Sequence, residues 1–201
     1  MSPRAELKRK TLTMAGRGSA SSLLMAAILL AVQALLIADA GTAMALTLTS
    51  SAFKPGDKIP SKYTCEGDDV SPPLAFGGVP EATRSLALIL DDPDAPDPKA
   101  PKLVWAHWLV YNLPPDSQGL PEDASRTGLP KGAVTGLSDR KQASYHGPCP
   151  PIGRHRYFHK LYALDTTLPP KALTKTELEA AMKGHILAQA ELMGTYQKGD
   201  P

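Results

Sequence analysis

Ser85-Leu86-Ala87-Leu88-Ile89-Leu90-Asp91-Asp92-Pro93-Asp94-Ala95-Pro96 is apolar for five consecutive positions and then turns abruptly acidic and proline-rich. A short apolar run of this kind, closed by turn residues, reads as a strand covered on both faces, here Ser85–Asp91. Prolines 93, 96, 98 and 101 lack a backbone donor and hold each preceding residue extended, so Asp92 through Pro101 reads as a stiff loop leaving the strand. Outward from this stretch, Leu46–Ser50, Ala106–Asn112 and Arg156–Asp165 have the same β-type character between Pro- and Gly-rich connections. Pro115–Gly136 lacks periodicity and reads as a long surface excursion with one turn of helix. Thr174-Lys175-Thr176-Glu177 fits a capping box, after which Leu178, Met182, Leu192, Met193 and Tyr196 suggest one C-terminal helix, with Gly184 a tolerated weak point. His185 falls on the same face and reads as a buried histidine satisfied by a neighbour. The expected class is mainly β, a β-rich α+β fold with a C-terminal helix.

The first 45 residues have the layout of a secretory signal peptide. A basic leader (Arg4, Lys8, Arg9, Lys10, Arg17) precedes an apolar run, Leu23–Ile37, broken only by Gln33, and then two A-x-A sites, Ala38-Asp39-Ala40 and Ala43-Met44-Ala45. An uncleaved anchor is the rival reading, but the uninterrupted core falls short of the roughly 20 residues a spanning helix needs. The expectation is cleavage after Ala45, a secreted or periplasmic product and no stable membrane anchor. No cysteine stands near either cleavage site for a lipid attachment, the first being Cys65. The leader contains five of the 22 basic and two of the 20 acidic residues, so residues 46–201 hold 17 and 18 and a net charge near −1. No basic stripe remains, which argues against nucleic acid as a partner. The length suits a single domain over 46–201.

Three separated clusters could carry chemistry. Asp91-Asp92-Pro93-Asp94-Ala95-Pro96 ends one strand, Trp105-Ala106-His107-Trp108 begins another, and Gly147-Pro148-Cys149-Pro150-Pro151-Ile152-Gly153-Arg154-His155-Arg156-Tyr157 leads into a third. Each places polar groups on a rigid backbone, as a small-anion site requires. Imidazoles and backbone amides can donate to an anion, and a nearby carboxylate can fix a histidine tautomer or favour its charged form. Each cluster alone is ordinary turn chemistry or a core histidine. The acidic loop lacks the sixth-position Gly and distal Glu of an EF-hand, and His155-Arg156-Tyr157-Phe158-His159 lacks the glutamate of H-E-x-x-H, so neither calcium nor zinc is expected. No metal or other cofactor is called for. Cys65 and Cys149 fit one disulfide in an oxidising compartment, and equally fit two buried thiols behaving as small hydrophobes.

In combination and in this order, the clusters closely resemble the phosphatidylethanolamine-binding protein family. The segments Tyr63-Thr64-Cys65-Glu66-Gly67, Ser71-Pro72-Pro73-Leu74, Tyr162-Ala163-Leu164-Asp165 and Gly184-His185-Ile186-Leu187-Ala188 look like its bacterial, Raf-kinase-inhibitor-like branch. The resemblance implies a large central β-sheet packed against a smaller sheet, with an anion cavity at one edge. It maps binding positions onto Asp92, His107, Gly147 and His155, with Pro93, Pro96, Trp105, Pro148 and Tyr157 shaping the walls. Animal members bind phosphorylated head groups and kinases. Two departures, Ala106 in place of a second histidine and the insertion of Cys149-Pro150, keep kinase inhibition from being carried over.

The expected function is thus an exported, non-enzymatic binder of a phosphate or phosphorylated compound, for which bacterial relatives make a homodimer a reasonable expectation. Two other classes stand beside it. One is a hydrolase or other acid–base enzyme using Asp92, His107 and His155, with Cys149 as nucleophile if its thiol is free. The other is a protein-interaction or inhibitor module whose partner the sequence does not name.

Overall fold

A computed structural model describes residues 45–199, which fall within one compact unit. The leader assigned to residues 1–45 lies outside the described residues except for Ala45. Among the described residues, eight strands form two antiparallel sheets. The larger has the order β6-β4-β3-β7-β8, made of β3 (Ser85–Asp92), β4 (Trp105–Leu113), β6 (Val134–Thr135), β7 (His155–Leu164) and β8 (Ile186–Tyr196). The smaller has the order β1-β2-β5, from Thr47–Thr49, Leu74–Gly77 and Gly119–Leu120.

β3 lies at the centre of the larger sheet, and all eight of its residues are buried. Alternation along it divides the core in two. Leu86, Leu88 and Leu90 join Trp108, Val110, Tyr157 and Leu161 in packing with Leu48, Leu74 and Phe76 of the smaller sheet. Ala87 and Ile89 join Leu109, Tyr111, Leu173, Leu178 and Met182, so the helix Lys175–Met182 covers the opposite face. That is why the run is apolar without a break: each face of the strand has its own cover. The excursion after β4 keeps irregular backbone apart from β5, β6 and the one-turn helix Ala124–Thr127.

The C-terminal helix is shorter than its pattern suggests. Its capping box is present, Thr174 Oγ1 accepting from the Glu177 amide and Glu177 Oε2 from the Thr174 amide, but it ends at Met182. Gly184, at φ +83°, is a chain reversal rather than a weak point inside a helix. Residues 186–196 then form β8 against β7. Leu192, Gly194 and Tyr196 turn inward with a period of two, and Leu192, Met193 and Tyr196 fit helical spacing by coincidence. Gly194 is needed there, since a Cβ would lie 2.6 Å from Ile59 Cγ1. His185 is correspondingly exposed rather than buried, and its Nδ1 pairs with Asp165 Oδ1 at 2.8 Å.

Candidate functional site

The site forms where β3 ends, β4 begins and the proline-rich loop enters β7. In the antiparallel β3–β4 register Asp92 faces Trp105, which places His107 one turn of the pleat away. Asp92 Oδ1 accepts from the Asp94 amide at 2.8 Å, closing the acidic turn on itself. Asp94 in turn accepts from Arg156 Nε at 2.9 Å and Nη2 at 2.7 Å, a fork that fixes the turn to β7. Arg156 holds the Asp94 carboxyl below the usual carboxylate range.

Asp92 Oδ2 and His155 Nδ1 are 2.7 Å apart, with side chains 5% and 0% exposed. His155 Nε2 donates to the Ile152 carbonyl at 3.0 Å. A carbonyl only accepts, so Nε2 carries a proton, and a second proton is held between Nδ1 and the carboxylate. Burial raises the Asp92 pKa, against the pull of the His155 hydrogen bond. His107 Nδ1 donates to the His146 carbonyl at 2.8 Å. Burial pushes the His107 pKa down to about 4, so the ring is neutral near pH 7 and Nε2 presents a lone pair. A charged His107 is therefore not the donor in this site. Tyr157 lies between the histidines, its ring centroid 5.3 Å from His107 and 6.4 Å from His155.

These groups line a cavity of about 270 Å³ together with Ala95, Pro96, Trp105, Arg140, Cys149, Pro150 and Pro151. Of the residues expected from sequence, Asp92, Pro96, Trp105, His107, His155 and Tyr157 converge on it. Pro93, Gly147 and Pro148 do not line it. The Gly147 amide is occupied, donating to Asp69 Oδ1 at 2.7 Å, and the Pro148 carbonyl accepts from the Cys65 amide at 3.1 Å. Their part is to fasten the loop beside residues 63–69, as does the Tyr145 hydroxyl donating to the Tyr63 carbonyl at 2.7 Å. Gly147 has no room for a side chain, a Cβ lying 2.3 Å from Tyr63 O. Cys65 and Cys149 are bonded, with Cα atoms 5.4 Å apart. That closes one of the two alternatives for the cysteines and removes Cys149 as a free nucleophile.

Arg140 is the lining residue that sequence reasoning missed. It stands in a turn pinned to the start of β4, where Asp139 Oδ2 accepts from the Ala106 amide at 2.7 Å and the Asp139 amide donates to the Ala106 carbonyl at 3.0 Å. No local pattern announces a contact between residues 33 positions apart. The Ser138-Asp139 pair signals only a turn.

Residues 49–197 match the family model for phosphatidylethanolamine-binding protein. The chain belongs to the phosphatidylethanolamine-binding protein family. It is 49% identical over 156 residues to a UPF0098 protein of Methanothermobacter thermautotrophicus, covering 77% of this chain and 100% of that relative. A crystal structure of a phosphatidylethanolamine-binding protein homologue from Chlamydia trachomatis superposes with a TM-score of 0.71 at 47% identity, over 77% of this chain and 98% of that one. Escherichia coli YbcL, described as a member of the mammalian family, gives 0.70 at 34% identity over 77% and 99%. Family membership makes this a ligand-binding protein of that type, with the two-sheet fold read from its motifs.

Proposed function

We propose that the protein is exported and binds a small anion, phosphate or a phosphorylated compound, in the cavity around Asp92, His107 and His155, without chemical turnover. The observation that carries this reading is the convergence of the Asp92–His155 pair, His107, Tyr157 and Arg140 on one small cavity with proline and disulfide walls. The polar groups are held by backbone and carboxylate partners and need little reordering to meet a ligand, which favours tight binding by a small molecule. Export is supported by the basic–apolar–small leader, by the disulfide, and by Leu46 being buried immediately after an exposed Ala45.

Calorimetry with phosphate and phosphoethanolamine tests the site. His155→Ala is expected to weaken binding, because the ring holds the Asp92 carboxylate in place and forms part of the cavity wall. His159→Leu is the control, because it leaves every cavity-lining residue in place. Unchanged affinity in both His155→Ala and His107→Ala would remove the site. Intact mass of the exported form is expected to begin at Leu46, and a membrane-retained full-length chain would overturn the export reading.

A further inference from the structure

Arg140 stands at the cavity without an acidic partner within ion-pair distance among the described residues. Arg156, at the start of β7, is committed to Asp94. The Tyr157 hydroxyl is fully buried in the cavity wall and has no partner at full hydrogen-bond geometry, although the Cys149 backbone lies near it. Arg140 is therefore the donor that a ligand in the cavity reaches. Two polar groups facing the space are acceptors: His107 Nε2, whose ring proton is spent on the His146 carbonyl, and the Asp92 carboxylate. A bare anion would meet repulsion from both acceptors, whereas a ligand with its own O–H or N–H would hydrogen-bond to them.

Resting on the anion-pocket reading above, we propose that Arg140 anchors the anion and that His107 and Asp92 make the cavity select oxyanions bearing their own hydrogen-bond donor, hydrogen phosphate being the simplest, over fully deprotonated ones such as sulfate. The guanidinium supplies a fork matched to two oxygens of a tetrahedral anion. The ligand's own proton goes to His107 Nε2 or to the carboxylate. Neutral His107 is essential to this discrimination, and its burial and the adjacent Arg140 charge both keep it neutral.

The test is calorimetry on the disulfide-intact exported chain at neutral pH and fixed ionic strength, with inorganic phosphate and inorganic sulfate. The parent is expected to bind phosphate at least about tenfold more tightly than sulfate, the factor given by roughly one hydrogen bond. Arg140→Gln should weaken both anions by about tenfold or more, the loss of a charge-assisted pair. His107→Gln, whose amide can turn a donor toward the ligand, should collapse the preference for phosphate. Arg84→Gln, at the opposite end of β3 from Asp92, is the charge-matched control and should change neither affinity. Equal binding of the two anions by the parent, or full phosphate affinity in Arg140→Gln, would overturn the inference while His155→Ala still weakens binding and the pocket reading stands. No binding of either anion by the parent would overturn both together.

Discussion

Asp92 and His155 share their protons in a place water scarcely reaches, so each depends on the other. The Ile152 carbonyl fixes one imidazole nitrogen as a donor, and the carboxylate is the partner of the other. Removing the carboxylate leaves a buried donor unpaired, whereas a surface pair of equal length would be worth little. Asp92→Ala is therefore expected to lower stability by about 3 kcal/mol and to weaken anion binding as His155 loses its orientation. Urea unfolding followed by tryptophan fluorescence measures the first. An unfolding midpoint within error of the parent would mean that the pair is not structurally coupled. His107 differs from His155 in kind: one has a carbonyl partner and an open nitrogen, the other has both nitrogens engaged.

Two buried imidazoles on the strands contribute to the loss of stability in acid. His107 on β4 and His159 on β7 are both pushed by burial from an ordinary value of 6.5 down to about 4. Between those values the unfolded chain binds more protons than the folded one, so stability is full above pH 6.5 and is lost as pH falls toward 4. Each histidine contributes up to about 3 kcal/mol of that loss. Burial shifts Asp92 upward, which acts in the opposite sense, so the histidine effect is isolated by a variant. His159 packs against Phe53 and neither ring nitrogen has a partner at hydrogen-bond geometry. His159→Leu should therefore raise the midpoint at neutral pH and flatten the acid limb, as read by urea titrations across the window. An acid limb as steep as the parent's would contradict this. The same elements show what the sequence made legible. β3, β4 and β7 were readable because a doubly covered strand must be apolar throughout, and because a strand bordering a rigid Pro loop has a defined end. β8 was not, because Leu192, Met193 and Tyr196 satisfy a helix and a strand alike, and only pairing with β7 decides between them. In the site, motif residues with local signatures were found. Arg140 was not, since the pairing of Asp139 with Ala106 places it, and Gly147, which the resemblance maps to a binding position, donates its amide to Asp69.

Across the whole chain, the disulfide joins residues 84 positions apart and clamps the pocket loop to the segment after the first 3-10 turn, Ser61–Tyr63. Closing so long a loop stabilises by about 2–4 kcal/mol through the unfolded chain. Reduction should lower the urea midpoint accordingly and weaken anion binding, since Cys149, Pro150 and Pro151 wall the cavity. Equal midpoints and equal affinities with and without reductant would show the bridge to be dispensable. Delivery of Asp92, His107 and His155 to a single anion site by β3, β4 and β7 is open to one residue-resolved measurement. The five histidines include His185, which is exposed and paired with Asp165 away from the cavity. Long-range ¹H–¹⁵N spectra of the imidazoles, recorded while inorganic phosphate is titrated into the disulfide-intact chain, follow each ring separately. Saturable shifts at His107 and His155 with one common dissociation constant, and none at His185, are expected. Unmoved His107 and His155 resonances at saturating phosphate, or shifts at His185 of the same size, would contradict it.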